Sequence, residues 1–197
     1  YEGFRLIEMN GNDDIIEQAP VSIKNRFPDR LVITNRLAMQ ATVMIRRDAE
    51  LGLDGSWCDN PGITSRGVEP VAHDISSALE DVRHDNPGFL FFGSVAFKTQ
   101  HHEPDPALAA RRAADLGWIA TTSGIGTGVA PGADKLATMK AAIGDRPLAV
   151  ASGISPENAE ELCPHVDWVL VATGISRTFH HFDTARVSAL RKIANRS

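Results

Sequence analysis

The chain has 197 residues, with 20 Lys and Arg against 25 Asp and Glu for a formal net charge of −5, and 43% hydrophobic residues. That length suits one domain, 1–197, with a core of ordinary size, and the hydrophobic fraction is that of a soluble globular protein. The basic residues form no run, which argues against nucleic acid as main partner, and no apolar stretch approaches the roughly 20 residues of a membrane span.

Strand and helix patterns alternate along the whole chain. Phe4–Asn10 reads as a strand, followed by a helix from about Asp13 to Phe27. Arg30–Leu37 is the next strand, with a helix over Met39–Leu51. Asp54–Asn60 is the third, and a helix spans His73–His84. The longest apolar stretch, Gly88–Phe97, suits a buried strand; Gly88–Lys98 is the fourth strand, and a helix follows over Pro106–Leu116. Asp105 before Pro106 is a helix start with a capping acid and a proline at the first helical position, and Ser155 before Pro156 reads the same way. The last helix is Thr184–Ala194. Apolar strands each alternating with a helix indicate a parallel sheet covered on both faces.

Three late strands share one design. They end in Ser123-Gly124-Ile125-Gly126-Thr127-Gly128, in Ser152-Gly153-Ile154-Ser155 and in Thr173-Gly174-Ile175-Ser176. Glycine lets backbone approach a ligand closely, and a helix start behind it offers free N–H groups. In a β/α barrel the loops after the last strands commonly hold phosphate. These turns therefore point to a small phosphorylated or anionic ligand. The alternative is that the glycines simply close short strand-to-helix turns.

The pattern contains seven βα units, where a closed barrel has eight. The chain opens almost directly in a strand, and Tyr1-Glu2-Gly3-Phe4 echoes the helix-to-strand joins at Leu51-Gly52-Leu53 and Leu116-Gly117-Trp118. The expectation is an α/β chain of (β/α)8 TIM type, a single barrel domain lacking its first βα unit. An open doubly wound sheet, which needs no eighth strand, is the alternative.

Catalytic groups in such barrels sit at the C-terminal ends of strands. Here those ends supply Glu8 and Asn10, Asn35 and Arg36, Asp59 and Asn60, and Lys98. Acid, amide and amine groups at one mouth can act as base, orienting donor and cation. Lys98 can pair with a phosphate or carboxylate or, if desolvated, form a Schiff base. The plainer readings are a solvated lysine, N-caps or salt bridges for Glu8 and Asp59, and turn formers for the asparagines.

His101, His102, His180 and His181 lie in loops, and the usual zinc spacings are absent, so no metal ligand is assigned. A proton-shuttle role for His101 or His102 stays open beside plain exposure. No cofactor is expected; a divalent metal would require Glu8 and Asp59 with the His101-His102 pair. Cys58 and Cys163 are far apart in sequence, which fits a reduced cytoplasmic protein. Trp57, Trp118 and Trp168 occupy equivalent early strand positions and read as packing residues.

Two of the turns carry a family resemblance. Ser123-Gly124-Ile125-Gly126-Thr127-Gly128 resembles the S-G-x-x-T-G of the BtpA family, named for a photosystem I biogenesis protein. Ser152-Gly153-Ile154-Ser155-Pro156-Glu157-Asn158 resembles its S-G-V-T-P-E-N. Lys98 resembles a lysine closing the family's fifth strand, and Glu8 and Asn10 a polar pair at its second. One departure is Ala172-Thr173-Gly174, where the family has Gly before a small hydroxyl residue. The resemblance implies a TIM barrel.

The expected activity is on a small phosphorylated metabolite, a sugar or ribose phosphate, by lyase, isomerase or glycosyl-transfer chemistry. Ser123, Gly124, Thr127, Gly128, Ser152, Gly153, Thr173, Gly174, Asn10 and Asn35 would hold the substrate, with Lys98, Glu8 and Asp59 at the chemistry. Two alternatives stand beside it: a non-catalytic assembly factor on a barrel scaffold, and a metal-assisted hydrolase. The expected partner is the phosphorylated ligand, with neither nucleic acid nor membrane span, and a homo-oligomer stays open.

Overall fold

The computed structural model describes residues 13–178 and 181–195. The chain forms two compact units, Tyr1–Ile63 with Gly67–Ser94, and Thr64–Arg66 with Val95–Ser197. The strand expected at Phe4–Asn10 lies outside the described residues.

The first unit contains α1 (Asp13–Arg26), β1 (Ile33–Thr34), α2 (Ala41–Glu50) and β2 (Gly55–Cys58). Two short strands follow, β3 (Ile63–Thr64) and β4 (Gly67–Val68), then α3 (Pro70–Asp85) and β5 (Leu90–Ser94). Strand β2 lies between β1 and β5, parallel to both, with Gly55 opposite Ile33 on one side and Leu90 on the other. Among the described residues the Arg30–Leu37 run contributes two strand residues, and side chains take up backbone groups ahead of them. Lys24 Nζ donates to Arg30 O at 3.0 Å, and Val32 N donates to Asp54 Oδ2 at 2.7 Å. The core is built from Met44 and Ile45 of α2, Ile75 and Leu79 of α3, and Phe91 and Phe92 of β5, all buried.

A polar network crosses this core. Asp48 of α2 is 0% exposed, and Arg36, after β1, is 3% exposed. Arg36 donates to Asp48 Oδ1 from Nε at 3.0 Å and from Nη2 at 2.9 Å. The hydroxyls of Thr34 (2.5 Å) and Ser56 (2.6 Å) donate to Oδ2. Burial pushes the Asp48 carboxyl above the usual carboxylate range, while Ser56, Thr34 and Arg36 pull against it. Arg36, read from sequence as one of the polar groups at the strand ends, pairs with Asp48 and, through Nη1 at 3.7 Å, with Glu17.

The second unit contains α4 (Pro106–Asp115), β6 (Ile119–Thr122), α5 (Ala133–Ile143), β7 (Leu148–Ala151) and α6 (Ala159–Leu162). It ends with β8 (Trp168–Leu170), β9 (Ser176–Thr178), β10 (His181–Phe182) and α7 (Thr184–Ala194). Strand β7 lies between β6 and β8, parallel to both, pairing Thr121 with Ala149 and Val150 with Val169. Every residue of β6 and β7 is buried, as expected of parallel strands covered on both faces. The buried face of α4 is Ala109, Ala110, Ala113 and Ala114, and these short side chains let α5 pack closely against it. Leu136, Val150, Ile154, Leu162 and Leu190 form the cluster beneath α5, α6 and α7.

Two helix starts behave as their sequences require. Asp105 accepts from Leu108 N at 2.9 Å, and Asp183 accepts from Ala185 N at 2.9 Å. Ser155 does not. Helix α6 begins only at Ala159, and it is the Asn158 side chain that accepts from Ser155 N and donates to Gly153 O, each at 2.9 Å. The amide competes for the local backbone and delays the helix by a turn.

Replacing Asp48 by Ala removes the nearest anion from the buried Arg36 guanidinium and leaves it Glu17, at 3.7 Å. Urea unfolding of Asp48→Ala should show a loss of about 3–5 kcal/mol. Asp81→Ala, which removes the exposed Arg46–Asp81 pair, should cost about 0–1 kcal/mol in the same assay.

Candidate functional site

The turn after β5 leaves the sheet abruptly. Val95 N still donates to Thr121 O at 2.9 Å, but Ala96 adopts φ +49° and the chain turns away. This is why β5 stops at Ser94 and not at Lys98. The turn delivers Lys98 to the ends of β6 and β7. Lys98 N donates to Ser123 Oγ at 2.9 Å. Its Nζ donates to Ser152 Oγ at 2.9 Å and to Thr127 Oγ1 at 3.2 Å, and lies 5.7 Å from the centroid of the Phe97 ring. Four residues read from the sequence as site residues, Lys98, Ser123, Thr127 and Ser152, are therefore brought together.

Ser152 has φ +77°, and among the described residues it and Ala96 are the non-glycines with positive φ. A left-handed conformation with a Cβ costs about 1–2 kcal/mol. Such backbone persists where surrounding structure over-determines it, and it concentrates at binding and catalytic sites. Both instances fall on the two turns that meet at the Lys98 amine.

The glycines have a packing reason. A Cβ on Gly124 would overlap Val129 O, and one on Gly153, at φ +75°, would overlap the backbone of Val129 and Ala130. The segment after Thr127 is thus wedged between the first two turns. A Cβ on Gly174 would overlap Ile154 O, and Gly174 O accepts from Arg186 Nε at 2.8 Å. The third turn is thereby locked to the second, with Thr173 exposed beside it. Gly128 differs: it has φ +80° with open space around its Cβ position.

One residue of this neighbourhood was not singled out from the sequence. Lys135, in the first turn of α5, donates from Nζ to Ala96 O and to Ser123 O, both at 2.8 Å. Thr122 Oγ1 also donates to Ala96 O, at 3.1 Å. Burial lowers the Lys135 amine from an ordinary 10.5 to about 8. No signal in Ala133-Asp134-Lys135-Leu136 separates this lysine from a solvated one.

In the first unit, Asn35 is 6% exposed. Its Nδ2 donates to Trp57 O and to Asp59 Oδ1, both at 3.0 Å. Its Oδ1 is buried with no hydrogen-bond partner among the described residues. The two sequence candidates Asn35 and Asp59 thus form one acceptor-rich pair. Glu8, Asn10 and His180 lie outside the described residues.

The remaining candidates are peripheral. His101 and His102 are exposed, and His181 lies 3.0 Å from Thr178 Oγ1. Among the described residues no group of three His, Cys, Asp or Glu side chains could hold a metal ion. Burial pushes the Cys58 thiol up to about 11 and raises Cys163 as well, so neither is an activated nucleophile. No helix among the described residues is long and apolar enough to cross a membrane.

Two measurements follow from this geometry. Gly128→Ala should cost about 1–2 kcal/mol in urea unfolding, from backbone strain alone. Gly153→Ala should cost a further 1–3 kcal/mol, roughly, because its Cβ also meets backbone. The second measurement is a pH dependence. The folded Lys135 amine deprotonates near 8 and the unfolded one near 10.5. Between these values the unfolded chain binds more protons, so stability rises with pH. Wild type should gain stability relative to Lys135→Met across that window, with the difference constant below about pH 7.

No family model matches the chain, and no curated protein matches it. Solved structures do. Phosphoribosyl anthranilate isomerase from Thermus thermophilus aligns at 17% identity over 98% of this chain and 86% of that one, with a TM-score of 0.66. The 3-hexulose-6-phosphate synthase from Salmonella typhimurium aligns at 15% identity over 99% and 87%, with a TM-score of 0.71. The 3-keto-L-gulonate-6-phosphate decarboxylase from Vibrio cholerae aligns at 13% identity over 91% and 79%, with a TM-score of 0.61. At these identities the likeness concerns the fold, which is α/β of the TIM-barrel type.

Proposed function

We propose that the chain is an enzyme acting on a small phosphorylated metabolite, a sugar or ribose phosphate, by lyase, isomerase or glycosyl-transfer chemistry. The observation that carries the reading is the Lys98 amine, held at 2.9 Å from Ser152 Oγ and 3.2 Å from Thr127 Oγ1. A lysine between two hydroxyls is a ready anion site, because each hydroxyl can rotate from accepting the lysine proton to donating toward an oxyanion. Charge-assisted bonds of that kind are about twice as strong as neutral ones. Ser123 fixes the Lys98 backbone, and the turns of Gly124, Gly128, Gly153, Thr173 and Gly174 frame the site. The structural neighbours include enzymes whose names carry phosphorylated sugars, which supports the same substrate class.

Asp59 is the base, and Asn35 holds its carboxylate as an acceptor. Glu8 and Asn10 belong to the same proposal. The chemistry calls for no cofactor. The finer placement, BtpA-like, rests on the two turn sequences, and a cytoplasmic location on the two unpaired cysteines.

Calorimetry with inorganic phosphate and ribose 5-phosphate tests the reading. Lys98→Met keeps the stem and deletes the charge. It should fold normally and lose about 1.5–3 kcal/mol of affinity, the range for a charged hydrogen bond. Equal affinities for wild type and variant, or no binding by wild type, would remove the site.

A further inference from the structure

The Lys135 amine is half-buried where its charge is disfavoured, and its two partners are both backbone carbonyls. Those carbonyls belong to the two turns that set Lys98. Ala96 O sits at the left-handed residue that turns the chain out of β5, two residues before Lys98. Ser123 O belongs to the residue whose hydroxyl accepts from Lys98 N at 2.9 Å. A single amine therefore staples both ends of the Lys98 backbone support. We infer that Lys135 is a positioning residue for the anion site: it fixes the Ala96–Lys98 turn against Ser123, so that the Lys98 amine is already placed on Ser152 and Thr127 before the anion arrives. The inference rests on the reading of Lys98 as an anion-binding group.

The physical effect is preorganisation. A loosened turn must be ordered when the ligand binds, and that ordering subtracts from affinity. Folding itself depends less on Lys135. Ala96 O keeps the Thr122 hydroxyl as a donor when the amine is removed, and a half-buried charge is removed with it.

The experiment compares wild type, Lys98→Met, Lys135→Met and Lys135→Cys, the last before and after aminoethylation with 2-bromoethylamine. Wild type treated with the same reagent controls for Cys58 and Cys163. Inorganic phosphate is the calorimetric probe, and hydrogen exchange at the Lys98 amide reports the turn. Lys135→Met should keep wild-type circular dichroism, exchange faster at Lys98 N–H and bind phosphate about tenfold more weakly, the lower end of what losing an orienting partner costs a bound group. Aminoethylated Lys135→Cys should regain both protection and affinity. If Lys135→Met does not fold, Lys135→Cys before and after modification carries the same comparison.

Wild-type affinity in Lys135→Met, with Lys98→Met impaired, would overturn the inference and leave the anion site standing. So would a loss that the restored amine fails to repair. Absence of phosphate binding by wild type would instead bring down the site itself.

Discussion

Everything at the Lys98 amine depends on backbone approaching backbone more closely than a Cβ permits. Val129 and Ala130 fit against Gly124 on one side and Gly153 on the other, and Ile154 O fits against Gly174. Because these contacts are between main chains, side-chain adjustment cannot relax them. They fix the loop that holds Thr127 against the turn that holds Ser152, and Lys98 reaches both. The glycine pattern therefore has its first cause in packing. In the proposed function, the hydroxyls beside those glycines, and the lysine that joins them, are what the packed turns hold in place.

Much of the fold was legible in the sequence because it rests on local rules. Helix α7 occupies the expected Thr184–Ala194, and the Asp105-Pro106 pair starts α4 as its side-chain chemistry requires. Strand lengths were not legible. Asp54 and Lys24 capture backbone groups ahead of β1, and Ala96 ends the β5 run early. An apolar run records burial, and burial outlasts ladder pairing at both places. The short strands β3, β4, β9 and β10 have no alternation long enough to register.

The site was legible only in part, for a related reason. Lys98, Ser123, Thr127 and Ser152 fall where a strand ends, and position alone singles them out. Lys135 and Asp48 are charged residues within helices, and helical charges usually face solvent. What separates these two is burial, which depends on what packs over them. Arg36 shows the converse. It falls at a strand end, and its guanidinium pairs with Asp48 and Glu17.

The two units treat buried charge differently. Asp48 and Arg36 pair with one another, Thr34 and Ser56 complete the carboxylate, and Glu17 Oε1 lies 3.7 Å from Arg36 Nη1, so each buried charge has opposite charge or donors around it. Such pairing belongs to a structural network. Around Lys98 the unfavourable terms are of another kind. Two left-handed residues, Ala96 and Ser152, and one desolvated amine, Lys135, lie on the same pair of turns, and each is unfavourable by itself. Lys135 meets carbonyl dipoles, and no carboxylate among the described residues pairs with it. An anion arriving beside these turns would lower the energy of both amines at once. In the proposed function, this clustering of unfavourable local choices is what suits the turns to an anion.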